Sequence, residues 1–328
     1  MFFIICFGLG SPTLERYDPS QTASTSDSLD YYRLVVVGPS AAQGHWRYRI
    51  LVPYLARPIY ILKEAAGHLR TWNPVAFSLL VVNSAFCASS LVVLMLIGKA
   101  FGLPFTTALI AAFAYLLNYT VSNEQLSGGV DSVEAFLMVC LMLALRQRSW
   151  NALPVLGVLG GLGKETFLPL AFLFACGWVW REERKPWIQI GGMATVGIAV
   201  VMLIRSVVEG HLITPIDIVL AERNVSGLAD IVRGIRNPLI SWQVWITFLW
   251  LIPLAVRGVR RLPREAIYAS AFGVTGAFSM VVWSGSGADA CRPLFNVAGP
   301  CLCLAFAVGV CEICGNPWNP DAPLPPRA

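Results

Sequence analysis

Residues 74–97, 103–121, 130–145, 187–204, 239–256, 266–283 and 293–313 are each apolar for close to the length that crosses a bilayer. No other feature narrows the fold as far. In hydrocarbon there is no water to satisfy the backbone, so apolar blocks of this length close their hydrogen bonds as helices. The charged share of 13%, against about 25% in soluble domains, makes one membrane unit a better reading than two soluble domains. The expected fold class is all-α: a polytopic transmembrane helical bundle of about 8–10 spans, forming a single domain over residues 1–328.

The segments outside those blocks have their own characters. Residues 1–10 are apolar but short, and lack the basic start and small-residue cleavage site of a signal peptide. They read as the end of a first span. A polar stretch at 11–49 follows, and 50–66 reads as an interfacial helix because it is short and carries Arg57 and two prolines. The bundle proper runs over 74–313, with a long polar loop at 205–238 and a tail at 314–328. Within the bundle, 152–180 is too long for one span and marginal for two, and glycines punctuate its middle. It reads as a broken helical hairpin whose break is shielded from lipid.

Basic residues mark alternate turns: Arg146 with Arg148, Arg181 with Arg184 and Lys185, and Arg257, Arg260, Arg261 and Arg264. The positive-inside rule makes these turns and the tail cytoplasmic. Most carboxylates not beside a basic cluster then fall outside, which concentrates the chemistry on one face. The net charge of +5 reflects these loop arginines rather than a nucleic-acid surface. The nine cysteines form no disulfide framework, since most lie within apolar spans. Cys311 and Cys314 make a C-x-x-C with no second pair or nearby histidine, so no metal site is expected there. The sequons at Asn118 and Asn224 are the kind that arise by chance.

Several groups stand out as candidates for chemistry. In the hairpin break, Lys164 and Glu165 need partners, water or a task, because a charge at the bilayer centre costs roughly 2.5–3.5 kcal/mol. The surrounding GGLGKET is not a nucleotide-binding loop, since glutamate follows the lysine and no strand precedes it. It is either a salt-bridged pair at the tip of a hairpin or a helix N-terminus whose N–H groups and lysine favour a phosphate. In SDSLDYYRL, Asp27 or Asp30 opens a short helix. Capping is the plain role, and general-base catalysis by Asp30, less so Asp27, is the alternative. In HWRYRILVP, Arg47 and Arg49 are grouped with Trp46 and Tyr48. They form either a headgroup anchor or a bidentate grip on a lipid phosphate with stacking aromatics. Arg292 opens the last span, where the helix dipole disfavours it unless Asp289 or a phosphate lies close.

Taken in order, an outer-loop aspartate followed by tyrosines, an R-Y-R-I-L-x-P segment entering a surface helix, a Gly-rich break with Lys-Glu-Thr, and a late arginine opening a span resemble bacterial polytopic glycosyltransferases of the GT-C type, above all their dolichyl-phosphate-mannose mannosyltransferase-like branches. The resemblance follows the order of elements over most of the chain, on short motifs. It implies an inverting transfer of a sugar from a polyprenyl-phosphate donor to an acceptor hydroxyl, on the non-cytoplasmic face of a bacterial inner membrane. Asp30 or Asp27 would hold the catalytic role, and Arg47, Arg49, Lys164, Glu165 and Arg292 the donor phosphate and its surroundings. No cofactor or metal ligand is expected from the residues, and the resemblance leaves room for a divalent metal. Membrane lipid and the donor are the expected partners, with no nucleic acid. Two departures, a half-length first span and no soluble outer domain, imply a truncated start or a minimal, inactive member. The competing expectations are a lipid or solute transporter gated by Lys164 and Glu165, and a non-catalytic subunit of a membrane complex.

Overall fold

The structure is a computed structural model that describes residues 1–16, 27–66, 72–182, 186–221, 227–284 and 290–315. Among the described residues it is built from helices and turns without strands. The chain runs through α1 (Phe2–Gly10), α2 (Pro12–Arg16), α3 (Ser28–Val36), α4 (Leu51–Ala66), α5 (Pro74–Ala100), α6 (Phe105–Leu116), α7 (Asp131–Gln147), α8 (Ala152–Gly163) and α9 (Phe167–Trp178). It continues through α10 (Trp187–Glu209), α11 (Pro215–Ala221), α12 (Leu228–Ile240), α13 (Trp242–Phe248), α14 (Ile252–Gly258), α15 (Arg264–Ser284) and α16 (Cys291–Ile313).

Four of these, α5, α10, α15 and α16, are long and apolar enough to cross a membrane, and the chain is an integral membrane protein by that measure. A fifth span is formed if α13 is joined to Ile252–Arg261, although the pair is bent by 42°. The apolar block at 239–256 thus contains a bend that hydropathy does not reveal. Of the other expected crossings, those at 103–121 and 152–180 fall on the shorter apolar helices α6, α8 and α9, and that at 130–145 falls on α7. The stretch at 11–49 carries α2, α3 and two short 3-10 helices, and 205–238 carries the end of α10, then α11 and α12. The tail beyond residue 315, Asp289 and the Asn224 sequon lie outside the described residues. Asn118 is fully buried and donates to the Thr247 carbonyl at 2.8 Å, so its sequon is not available for modification.

Local signals set the helix ends. Asn73 caps α5 by accepting from the N–H groups of Val75 and Ala76, and Pro74 occupies its first turn. Gly210 ends α10 in the left-handed conformation at φ 75°. Between helices, lipid offers no hydrophobic driving force, so close backbone approach supplies the packing. Gly157 of α8 lies against the Met193 carbonyl of α10, Gly258 of α14 against the Ala305 carbonyl of α16, and Gly309 of α16 against the Leu254 carbonyl of α14. In its most apolar stretch α16 is 83% buried and α10 only 22%, which places α16 at the centre and α10 at the periphery.

The two ends of the bundle differ. At one, Arg146 donates to the Ala100 carbonyl, Arg148 pairs with Glu182, and Arg257 and Arg261 pair with Glu312. At the other lie the end of α1 and the starts of α3, α7 and α16.

Candidate functional site

The break between α8 and α9 is a short turn. Lys164 is extended at φ −163°, while its N–H still bonds the Gly160 carbonyl at 2.8 Å. The ring of Phe167 lies against Gly160, which fills the corner a side chain would otherwise occupy. This geometry turns Lys164 and Glu165 toward different partners, so the pair is not a mutual salt bridge.

Lys164 reaches α7. Asp131 and Glu134, at i and i+3, share one face of that helix, and the Lys164 ammonium lies 2.5 Å from Asp131 Oδ1 and 3.1 Å from Glu134 Oε2. Glu134 is fully buried and also accepts from Thr166 Oγ1 at 2.6 Å and from Asn296 Nδ2 at 2.9 Å. Asn296 in turn accepts from Gln125 at 3.1 Å. A buried carboxylate is tolerable only when its lone pairs are used, and here each oxygen of Glu134 has a donor.

Arg292, from the first turn of α16, joins the same network. It donates to Asp131 Oδ2 at 3.1 Å and pairs with Glu124 at 2.9 Å. Asp131 therefore holds two cations, one on each oxygen. Its carboxylate also answers the helix-dipole problem set by Arg292.

Glu165 turns toward the segment before α4. Arg49 grips it at 2.8 Å through one terminal nitrogen and at 3.3 Å through Nε, and donates to the Tyr31 hydroxyl at 3.2 Å. Burial works most strongly on Arg49, against its charge, and the Glu165 carboxylate and the Tyr31 hydroxyl together outweigh it, holding the guanidinium well above its usual range. Burial pushes the Tyr31 phenol up to about 12, opposed by Arg49.

Arg47 stands apart. It and the Tyr48 hydroxyl both donate to Glu209 at the end of α10. The Arg205 guanidinium sits 4.7 Å from the Tyr48 ring centre.

A cavity of about 490 Å³ opens beside the network. Its walls include Asp27, Tyr31, Tyr119, Glu124, Asp131 and Arg292. Of the two candidate acids, Asp27 lines it. Asp30 points elsewhere, accepting from the Gln43 N–H at 2.9 Å and lying 3.7 Å from Arg33. Among the expected phosphate ligands only Arg292 reaches this cavity, while Lys164 and Arg49 stand one residue behind its wall, through Asp131 and Tyr31. Lys164, Arg49 and Arg292 each have a carboxylate of the chain itself.

Asp131, Glu134, Glu124, Asn296 and Gln125 are central here and were not among the residues selected from the sequence. Asp131 and Glu134 carried a signal, being two acids three apart in an apolar block, the same anomaly that singled out Lys164. Among the described residues no group of three His, Cys, Asp or Glu side chains is placed to hold a metal ion. No family model matches the chain, and neither curated proteins nor solved structures provide a match.

Proposed function

We propose that the protein is a membrane glycosyltransferase that moves a sugar from a polyprenyl-phosphate donor to an acceptor hydroxyl bound in the cavity. The observation that carries this reading is the shared cavity itself, which brings Asp27 and Arg292 together from opposite ends of the chain with Tyr119, Glu124 and Asp131. Carboxylates and hydroxyls on the wall suit a sugar, whose hydroxyls donate to them. Asp27 takes the role of base toward the acceptor hydroxyl, which attacks the anomeric carbon as the phosphate departs. Arg292 offsets the charge that grows on the leaving oxygen. Lys164, Glu134, Arg49 and Glu165 hold the wall rather than touch the ligand. The active face is the end remote from the basic turns, which is the outer face of a bacterial inner membrane by the positive-inside rule.

The test is transfer of radiolabel from a polyprenyl-phosphate hexose by the full chain in nanodiscs, with membrane extract as acceptor. Wild type and Asp30→Asn transfer label; Asp27→Asn loses at least about a hundredfold, the usual scale for a general base. An inactive wild type, or an active Asp27→Asn, overturns the proposal. Inactivity would favour a second reading, a non-catalytic membrane subunit, which is supported by the pairing of Lys164, Arg49 and Arg292 with the chain's own carboxylates.

A further inference from the structure

Helix α12 has three distinct faces. Gly234 and Pro238 are buried, and a Cβ on Gly234 would meet Val282 Cα at 3.0 Å, so this face docks on the last turn of α15. Asp230, Arg233 and Arg236 lie on a polar side, where Arg233 pairs with Asp230 at 2.9 Å and Arg236 is exposed. The third face is apolar: Leu228, Ile231, Val232, Ile235 and Leu239 fall at helical spacing on a stripe about 100° wide. These five side chains are 38% to 77% exposed.

An uncovered apolar stripe of this kind marks an interaction surface. We propose that α12 lies in the plane of the membrane surface, with this stripe sunk at the headgroup–acyl boundary and Arg233 and Arg236 at the level of anionic lipid phosphates. Position argues for lipid as the occupant. Val282 belongs to the last turn of a candidate span, so α12 lies at the depth where the hydrocarbon ends. The stripe runs on into α13, which opens the bent span, and Trp242 and Trp245 at that junction are exposed. Trp245 donates to the Leu239 carbonyl at 2.8 Å and so fixes the turn between the two helices. Tryptophans gather at the membrane–water interface, and basic residues beside an apolar stripe are the pattern of an in-plane helix. Two arginines against one aspartate leave the helix net positive, which sets the preference for anionic headgroups. Trp242 also packs edge-on against Tyr119 at 5.3 Å, which places this lipid-facing helix at the rim of the cavity.

The experiment places a photoreactive benzoylphenylalanine at Ile235, and separately at Asn237 on the polar side, in the full chain reconstituted in nanodiscs of phosphatidylcholine and phosphatidylglycerol. After irradiation, mass spectrometry reads the adducts. The proposal expects phospholipid adducts at 235 and several-fold fewer at 237, with phosphatidylglycerol over-represented at 235 relative to its share. Arg236→Gln is expected to reduce that excess several-fold. A crosslink between two copies at 235, equal lipid labelling at 235 and 237, or no lipid adduct overturns the assignment of lipid as occupant. Labelling in proportion to composition overturns the anionic preference. The readout requires no catalytic activity, so it stands or falls independently of the transferase proposal.

Discussion

At the scale of single residues, the charges in the hairpin break are explained by partners rather than by each other. Lys164 belongs to Asp131 and Glu134, while Glu165 belongs to Arg49. A double-mutant cycle separates the two arrangements. Lys164→Met with Glu134→Gln is expected to show a coupling of about 0.5–3 kcal/mol in detergent unfolding, and Lys164→Met with Glu165→Gln a much smaller one. Equal couplings would mean that the two charges act on each other. Lys164→Ala alone leaves two buried carboxylates short of a cation, and is expected to cost roughly 3–5 kcal/mol. Tyr31 gives a pH test. Its folded value, about 12, lies above its usual 10, so its contribution to stability is complete below 10 and is lost as pH rises toward 12. Tyr31→Phe is therefore expected to show a shallower fall in unfolding temperature between those values than wild type; an unchanged slope refutes the assignment.

At the scale of elements, glycine separates tight helix contacts from open ones. Gly157 faces the Met193 carbonyl, so Gly157→Ala is expected to force α8 from α10 at a cost of roughly 1–3 kcal/mol. Gly191, on the same helix as Met193, has nothing within 4 Å of an added Cβ, so Gly191→Ala is expected to be neutral or stabilising by up to about 1 kcal/mol. Thermal unfolding of both variants checks this, and equal gains would show that the glycines act through helix propensity alone. The long helices were legible in the sequence, because twenty apolar residues leave little choice. Two elements were not. The bend between α13 and α14 leaves hydropathy unchanged, and α12 lies in the polar stretch at 205–238, where the helical period of LADIVRGIRNPLI is masked by low overall hydropathy.

At the scale of the whole molecule, the basic turns and the cavity occupy opposite ends. An epitope inserted after Ser149 is expected to be reached by antibody only after a bacterial host cell is opened, and one inserted at Gly210 from outside. The reverse pattern would place the cavity on the cytoplasmic side. The sequence by itself determined the class of fold, the position of the hairpin break and the grouping of basic turns, because each follows from local hydropathy and charge against a solvent of fixed thickness. Only the tertiary structure decided which charges meet. Asp27 and Asp30 lie one turn apart in similar surroundings along the chain, yet one lines the cavity and the other ties down Gln43. Lys164 had a neighbour in sequence but found its counter-charges on α7, about thirty residues away. Ion pairs form between side chains that packing brings within a few ångströms, and helix packing in lipid is set by small residues distributed over the whole chain.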